Sequence, residues 1–230
     1  MMIGFLNLTF LKIFKLIKIQ LSLQQQNFNK CIIDVGCYSN GTRGKFLKKT
    51  NNLPVIFIDA NQDVLRALKV EDDDIKICAA LSNRSGISKF NFYYYEETNS
   101  ICEINLDNAT EWIIEDRKSK MEEWTLKEVR MVPMLCLADI IESLNIKSIA
   151  ALKIDAQGHD LQVVFGLKQY VSLVDYIELE VSVIEKELYK KSSKKNEVVE
   201  YLNKSGFVLL EEHYQSCNQE QNLHFAKKTL

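Results

Sequence analysis

Turn-forming residues are scarce in this chain, with two prolines and eight glycines in 230 residues. That leaves little room for flexible linkers, and no stretch repeats, so one domain with a sizeable core is expected. Paired cysteines are missing as well. Cys31, Cys37, Cys78, Cys102, Cys136 and Cys217 are scattered without a C-x-x-C spacing, which speaks against zinc or any other metal site. Several lie in apolar runs, where a thiol behaves as a small hydrophobe, so reduced thiols in a cytoplasmic protein are expected. An excess of positive charge is also lacking. Against 31 acidic residues stand 29 lysines and arginines, a formal charge of -2, so nothing draws nucleic acid to the chain as a whole. Neither G-x-G-x-x-G nor G-K-[ST] occurs, which removes the usual dinucleotide fingerprint and the Walker A loop.

A long uninterrupted apolar run is missing too. Met1 to Leu23 is apolar but is cut by Lys12, Lys15 and Lys18. Lysines three apart gather on one side of a helix, and a spanning helix needs about 20 mostly uncharged residues. The spacing predicts an amphipathic helix and polar connector over 1–27, followed by a domain over 28–230. That helix either packs on the domain's own sheet or rests weakly on a membrane or a partner. A secretory signal fits poorly, because no positive start and no small-residue cleavage site are present.

What is present is an alternation of buried strand and amphipathic helix. Cys31-Ile32-Ile33 ends in Asp34-Val35-Gly36, a loop of small and polar residues follows, and an amphipathic segment surrounds Phe46 and Leu47. Leu53 to Ile58 is a second apolar run ending in Asp59, and Val64, Leu65 and Leu68 follow at helical spacing. Ile75 to Ser82 reads as a third strand ending in small residues, and Ile149 to Ile154 as another, closed by Asp155. This β-α-β order predicts a mostly parallel sheet with ligands at its carboxyl rim. Asp59 stands where a carboxylate accepts hydrogen bonds from both ribose hydroxyls of a nucleoside, or else caps the next helix. Ile87 to Tyr95 alternates as an antiparallel strand, and Glu96 to Arg130 as a part-helical cover over the site. Val174 to Val181 carries alternating acids, and Glu185 to Lys204 reads as a charged helix. Gly206 to Leu210 and Leu223 to Ala226 read as an antiparallel edge pair.

Four blocks in this order resemble the FkbM-type methyltransferases. They are Ile33-Asp34-Val35-Gly36, Phe57-Ile58-Asp59-Ala60-Asn61, Ala79-Ala80-Leu81-Ser82, and Leu152 to Leu161, which is similar to L-K-I-D-x-[EQ]-G-x-[ED]-L. The resemblance spans roughly Lys30 to Lys227. It implies a Rossmann-like seven-stranded sheet with helices on both faces and S-adenosylmethionine (SAM) as methyl donor. The acceptor it implies is a hydroxyl on a sugar, glycan or small metabolite. By the same resemblance, SAM is bound by Asp34, Gly36, Cys37, Asp59, Ala60, Ala80, Leu81 and Asp155. The family often carries Glu-Pro where this chain has Asp59-Ala60.

A hydroxyl attacks a methyl group only as it loses its proton, so a base is needed near Asp155. His159 is the candidate, because its unperturbed pKa lies near neutrality. Asp155 then orients the histidine, the acceptor or the SAM amine, and Glu180 faces the acceptor. Two other readings stand beside this one: a SAM- or nucleotide-binding scaffold without catalysis, and a nucleic-acid methyltransferase.

Overall fold

The computed structural model describes residues 28–112, 121–183, 187–215 and 220–228. The predicted helix over 1–27 lies outside the described residues.

Seven strands form the main sheet. In chain order they are β1 (Cys31–Val35), β2 (Val55–Asp59), β3 (Ile75–Cys78), β7 (Ile149–Ile154), β8 (Tyr176–Ser182), β9 (Phe207–Gln215) and β10 (Glu220–Lys227). Their spatial order is β3-β2-β1-β7-β8-β10-β9. The first five in that order run parallel, and β10 lies antiparallel to both β8 and β9. Parallel strands buried on both faces need continuous apolar runs, and the sequence supplies them. Ile32, Ile33, Ile56, Phe57 and Ile58 are each 0% exposed. At roughly 1.5–3 kcal/mol per large apolar side chain, this central ribbon dominates the driving force.

Among the described residues, six α-helices lie between the strands. They are α1 (Thr42–Asn51), α2 (Gln62–Ala67), α3 (Leu106–Trp112), α4 (Leu137–Ser143), α5 (Asp160–Phe165) and α6 (Lys195–Lys204). Asn61, not Asp59, caps α2, its side chain accepting from the Asp63 amide at 3.1 Å.

Three expectations need correction. The run from Ile75 to Ser82 is broken at Ala79, and β4 (Ala80–Leu81) joins a second, three-stranded sheet of order β4-β6-β5. In that sheet β5 (Gly86–Tyr93) pairs antiparallel with β6 (Leu126–Leu135), which begins inside the stretch expected as a part-helical cover. Of the helix expected over Glu185 to Lys204, the described residues 187–194 are not helical, and α6 starts at Lys195. Leu188 and Tyr189 instead enter a small core with Tyr93, Ile104 and Trp124. Two large apolar side chains in sequence suit that pocket better than one face of a charged helix.

The strand order reverses between β1 and β7, because β1 has β2 on one side and β7 on the other. A crevice opens at such a point outside the carboxyl ends of the strands. The tips of both strands carry an acid, Asp34 and Asp155.

Candidate functional site

A cavity of about 440 Å³ sits at this switch point. Every candidate binding or catalytic residue named from the sequence lines it. Asp34, Gly36 and Cys37 come from the end of β1, Asp59 and Ala60 from the end of β2. Ala80 and Leu81 are β4 itself, Asp155 and His159 follow β7, and Glu180 lies on β8.

The first loop is fixed by a short set of polar contacts. Asp34 is fully buried and its Oδ2 accepts the Gly44 amide at 3.0 Å, tying the strand tip to α1. Lys153 Nζ lies 3.3 Å from Asp34 Oδ1 and 3.5 Å from Asp155 Oδ2. It also donates to the carbonyls of Gly36 at 2.8 Å and Val35 at 3.2 Å. Burial alone would lower its pKa, but Asp34 and Asp155 outweigh burial and raise it, so Lys153 stays charged. Gly36 has φ +65°, and its close neighbour is the chain itself: an added Cβ would stand 1.9 Å from the Asp155 carbonyl oxygen.

Asp59 accepts the Tyr38 amide at 3.2 Å and the Asn61 amide at 2.8 Å. Burial pushes its carboxyl up to about 6, against the pull of those two amides. Beside it, Ala60, Ala79, Ala80 and Leu81 give a wall of small apolar groups.

His159 is held on both ring nitrogens, with Nε2 at 2.9 Å from Ser82 Oγ and Nδ1 at 3.8 Å from Cys102 Sγ. Burial lowers its pKa to about 4, so the ring is neutral at physiological pH.

The far wall is acidic and escaped the sequence reading except for Glu180. Glu178 and Glu220 also line the cavity. Glu178 pairs with Arg43, whose Nε donates to Oε2 at 2.7 Å. The alternating acids of β8 were the available signal, but an acid in alternation usually faces water. The cavity shape also comes from residues 95–99 and Ile101, within the stretch expected to cover the site.

Asp160, in the first turn of α5, is fully buried. Its Oδ1 accepts the Ala156 amide at 3.3 Å, while Oδ2 has no partner. Burial, reinforced by Asp155, raises its pKa from 3.8 to about 7. Between those values the folded chain holds a proton that the unfolded chain has released. The contribution of Asp160 to stability is therefore fullest below about 4 and falls away as pH rises through about 7. Asp160→Asn should flatten that fall, which urea unfolding at pH 5 and pH 8 will read. An equally steep fall in the variant would remove Asp160 as its source.

The chain is thus an α/β protein with a nucleoside-sized crevice at its switch point, rimmed by acids. A sequence profile described as methyltransferase FkbM domain matches residues 34–209. The chain belongs to the FkbM methyltransferase family. Among solved structures, it is similar to a putative type 11 methyltransferase from Sulfolobus solfataricus. That match has 14% identity and a TM-score of 0.41, over 88% of this chain and 86% of the other. It is also similar to magnesium protoporphyrin IX methyltransferase from Synechocystis PCC 6803, crystallised with SAM. There the identity is 9% and the TM-score 0.44, over 92% of this chain and 77% of that one. No curated protein matches the sequence.

SAM is the cofactor of this family, and the donor set fits it. A buried carboxylate, a slot of small apolar residues and a further acid at the β7 tip suit a nucleoside bearing an amino acid. Among the described residues no cluster of His, Cys, Asp and Glu suits a metal ion, and no helix is long and apolar enough to cross a membrane.

Proposed function

We propose that the protein transfers a methyl group from SAM to a hydroxyl of a small acceptor such as a sugar, glycan or metabolite. The observation that carries this reading is the meeting of three strand-tip acids, Asp34, Asp59 and Asp155, around one cavity. When bound, SAM supplies an electrophilic methyl group on a positively charged sulfur.

Each acid has its own task. Asp59 accepts the ribose hydroxyls, Ala60, Ala80 and Leu81 flank the base, and Asp155 faces the amine or the acceptor. Asp34 acts through the loop it fixes: it binds the Gly44 amide and, with Lys153, keeps Gly36 and Cys37 in place. His159 contributes a wall and a hydrogen bond. A ring whose pKa has fallen to about 4 makes a weak base at neutral pH. The exposed Glu96 and Glu97 at the rim repel phosphodiesters, which supports a small acceptor over nucleic acid.

Mass spectrometry for a gain of one methyl group across a panel of glycans and hydroxylated metabolites tests the proposal. Transfer to RNA alone, or SAM binding with no transfer to any acceptor, would replace it with one of the two other readings.

Asp59 offers a second test. Accepting hydroxyl protons needs the ionised carboxylate, so SAM affinity should decline as pH drops below about 6. Asp59→Asn keeps an oxygen for one of the two loop amides but loses the charge, and should weaken SAM about 10- to 100-fold. Titration calorimetry at pH 5 and pH 8 reads both effects; equal affinity in the two proteins rejects the ribose role.

A further inference from the structure

We propose that Glu180, held by Gln157, is the group that takes the acceptor's proton. This rests on the methyl-transfer reading and adds to it the identity of the base.

Glu180 and Glu220 stand on adjacent antiparallel strands, where Asn222 pairs with Glu180 and Glu220 with Ser182. Both acids are buried, at 7% and 4% exposure, and both line the cavity with Asn222 and Asp155. Gln157 connects this wall to the β7 tip. Its Nε2 donates to Asp155 Oδ1 at 2.6 Å and reaches Glu180 Oε2 at 3.4 Å. Turning the amide over would set its oxygen against these two carboxylates, and as it stands the Tyr189 hydroxyl donates to its Oε1. Gln157 also sits at φ +50°, a conformation uncommon outside glycine and a mark of a residue held in place by its surroundings. One amide thus joins the acid beside the cofactor to an acid on the acceptor wall. That is where a base must stand for in-line transfer.

In the step itself the acceptor O–H bond breaks and its proton passes to the Glu180 carboxylate. The oxygen bonds the methyl carbon, and the electron pair of the broken C–S bond stays on sulfur, cancelling its positive charge. The proton leaves to solvent with the product.

Burial raises the pKa of Glu180 well above the usual glutamate value, and Glu220, Asp155 and Asp160 add to that rise while Lys153 opposes it. Tyr189 stands behind this group, its own hydroxyl raised by burial and by Glu220, Glu180 and Asp155. Neighbouring buried acids disfavour one another's negative charge, so Glu180 takes a proton more readily than a solvated glutamate does. His159, bonded to Ser82 and lowered by burial, has no such match.

Glu180→Gln should lower methyl transfer on the order of 10² to 10⁴-fold with calorimetric SAM affinity retained, whereas His159→Ala should cost less than about tenfold. Glu220→Gln should move the acid limb of the pH–rate profile to lower pH, since a neighbouring negative charge is gone. Carbon-13 NMR of the glutamate carboxyls gives an acceptor-free reading. The signal missing in Glu180→Gln should titrate above the ordinary glutamate range and shift downward in Glu220→Gln. Wild-type turnover in Glu180→Gln, or a Glu180 signal unmoved by Glu220→Gln, would overturn the assignment. Transfer found only on a nitrogen acceptor, still impaired in Glu180→Gln, would overturn the hydroxyl reading and leave the base in place.

Discussion

Lys153→Met is expected to remove about 3–5 kcal/mol of folding stability, the usual cost of stripping one partner from a buried ion pair. Its side chain is 11% exposed, and its ammonium lies 3.3 Å from Asp34, whose side chain is 1% exposed. Without it Asp34 keeps only the Gly44 amide, and the Gly36 and Val35 carbonyls lose a donor. The site should suffer with the fold, because these groups form the first loop. A second substitution identifies the cause. Asp34→Asn removes the stranded charge and still accepts from Gly44, so Lys153→Met with Asp34→Asn should recover part of the loss. Coupling between touching groups runs about 0.5–3 kcal/mol. Denaturant unfolding of the four proteins at one pH measures it, with a common m-value as the two-state check. A loss under about 1 kcal/mol for Lys153→Met, or costs that simply add, would mean that the lysine is not the counter-charge of this loop.

Lys153 also shows where sequence reading stops. Apolar runs ending in Asp34, Asp59 and Asp155 are local facts, visible because a parallel strand is apolar along its length and its acid falls at the rim. Lys153 stood in plain view inside the fourth block, but a lysine in a strand ordinarily faces water. Its burial depends on Asp34, which is 119 positions away in the chain and becomes a neighbour only when β1 pairs with β7. The same holds for the acidic wall. Glu220 is brought beside Glu180 by an antiparallel register between β8 and β10, and no spacing in the chain announces that register. In the sequence His159 offers only its unperturbed pKa, and its burial against Ser82 and Cys102 is a tertiary effect. The second sheet was missed for a different reason. β4 is two residues long and continues β3 in sequence, so only the break at Ala79 separates them.

Gly36→Ala should abolish SAM binding and cost several kcal/mol of stability, through two effects that a control can separate. The left-handed conformation at φ +65° costs a residue with a Cβ roughly 1–2 kcal/mol. The second effect is contact: the new Cβ would lie 1.9 Å from the Asp155 carbonyl oxygen and 3.0 Å from its carbonyl carbon. Backbone cannot rotate aside as a flexible side chain does, so β1 and β7 must part at their tips, a strain of about 1–3 kcal/mol or more. Gly206 has φ +90° with nothing within 4 Å of an added Cβ, so Gly206→Ala carries the conformational cost alone and leaves the site untouched. Thermal unfolding and SAM calorimetry on both variants give the comparison. Gly36→Ala should lose more stability than Gly206→Ala and lose SAM binding as well, because parted tips displace Asp155 and release the Gly36 carbonyl from Lys153. Equal stability losses in the two variants, with SAM still bound by Gly36→Ala, would mean that the strand tips tolerate separation and that the cavity does not depend on their contact.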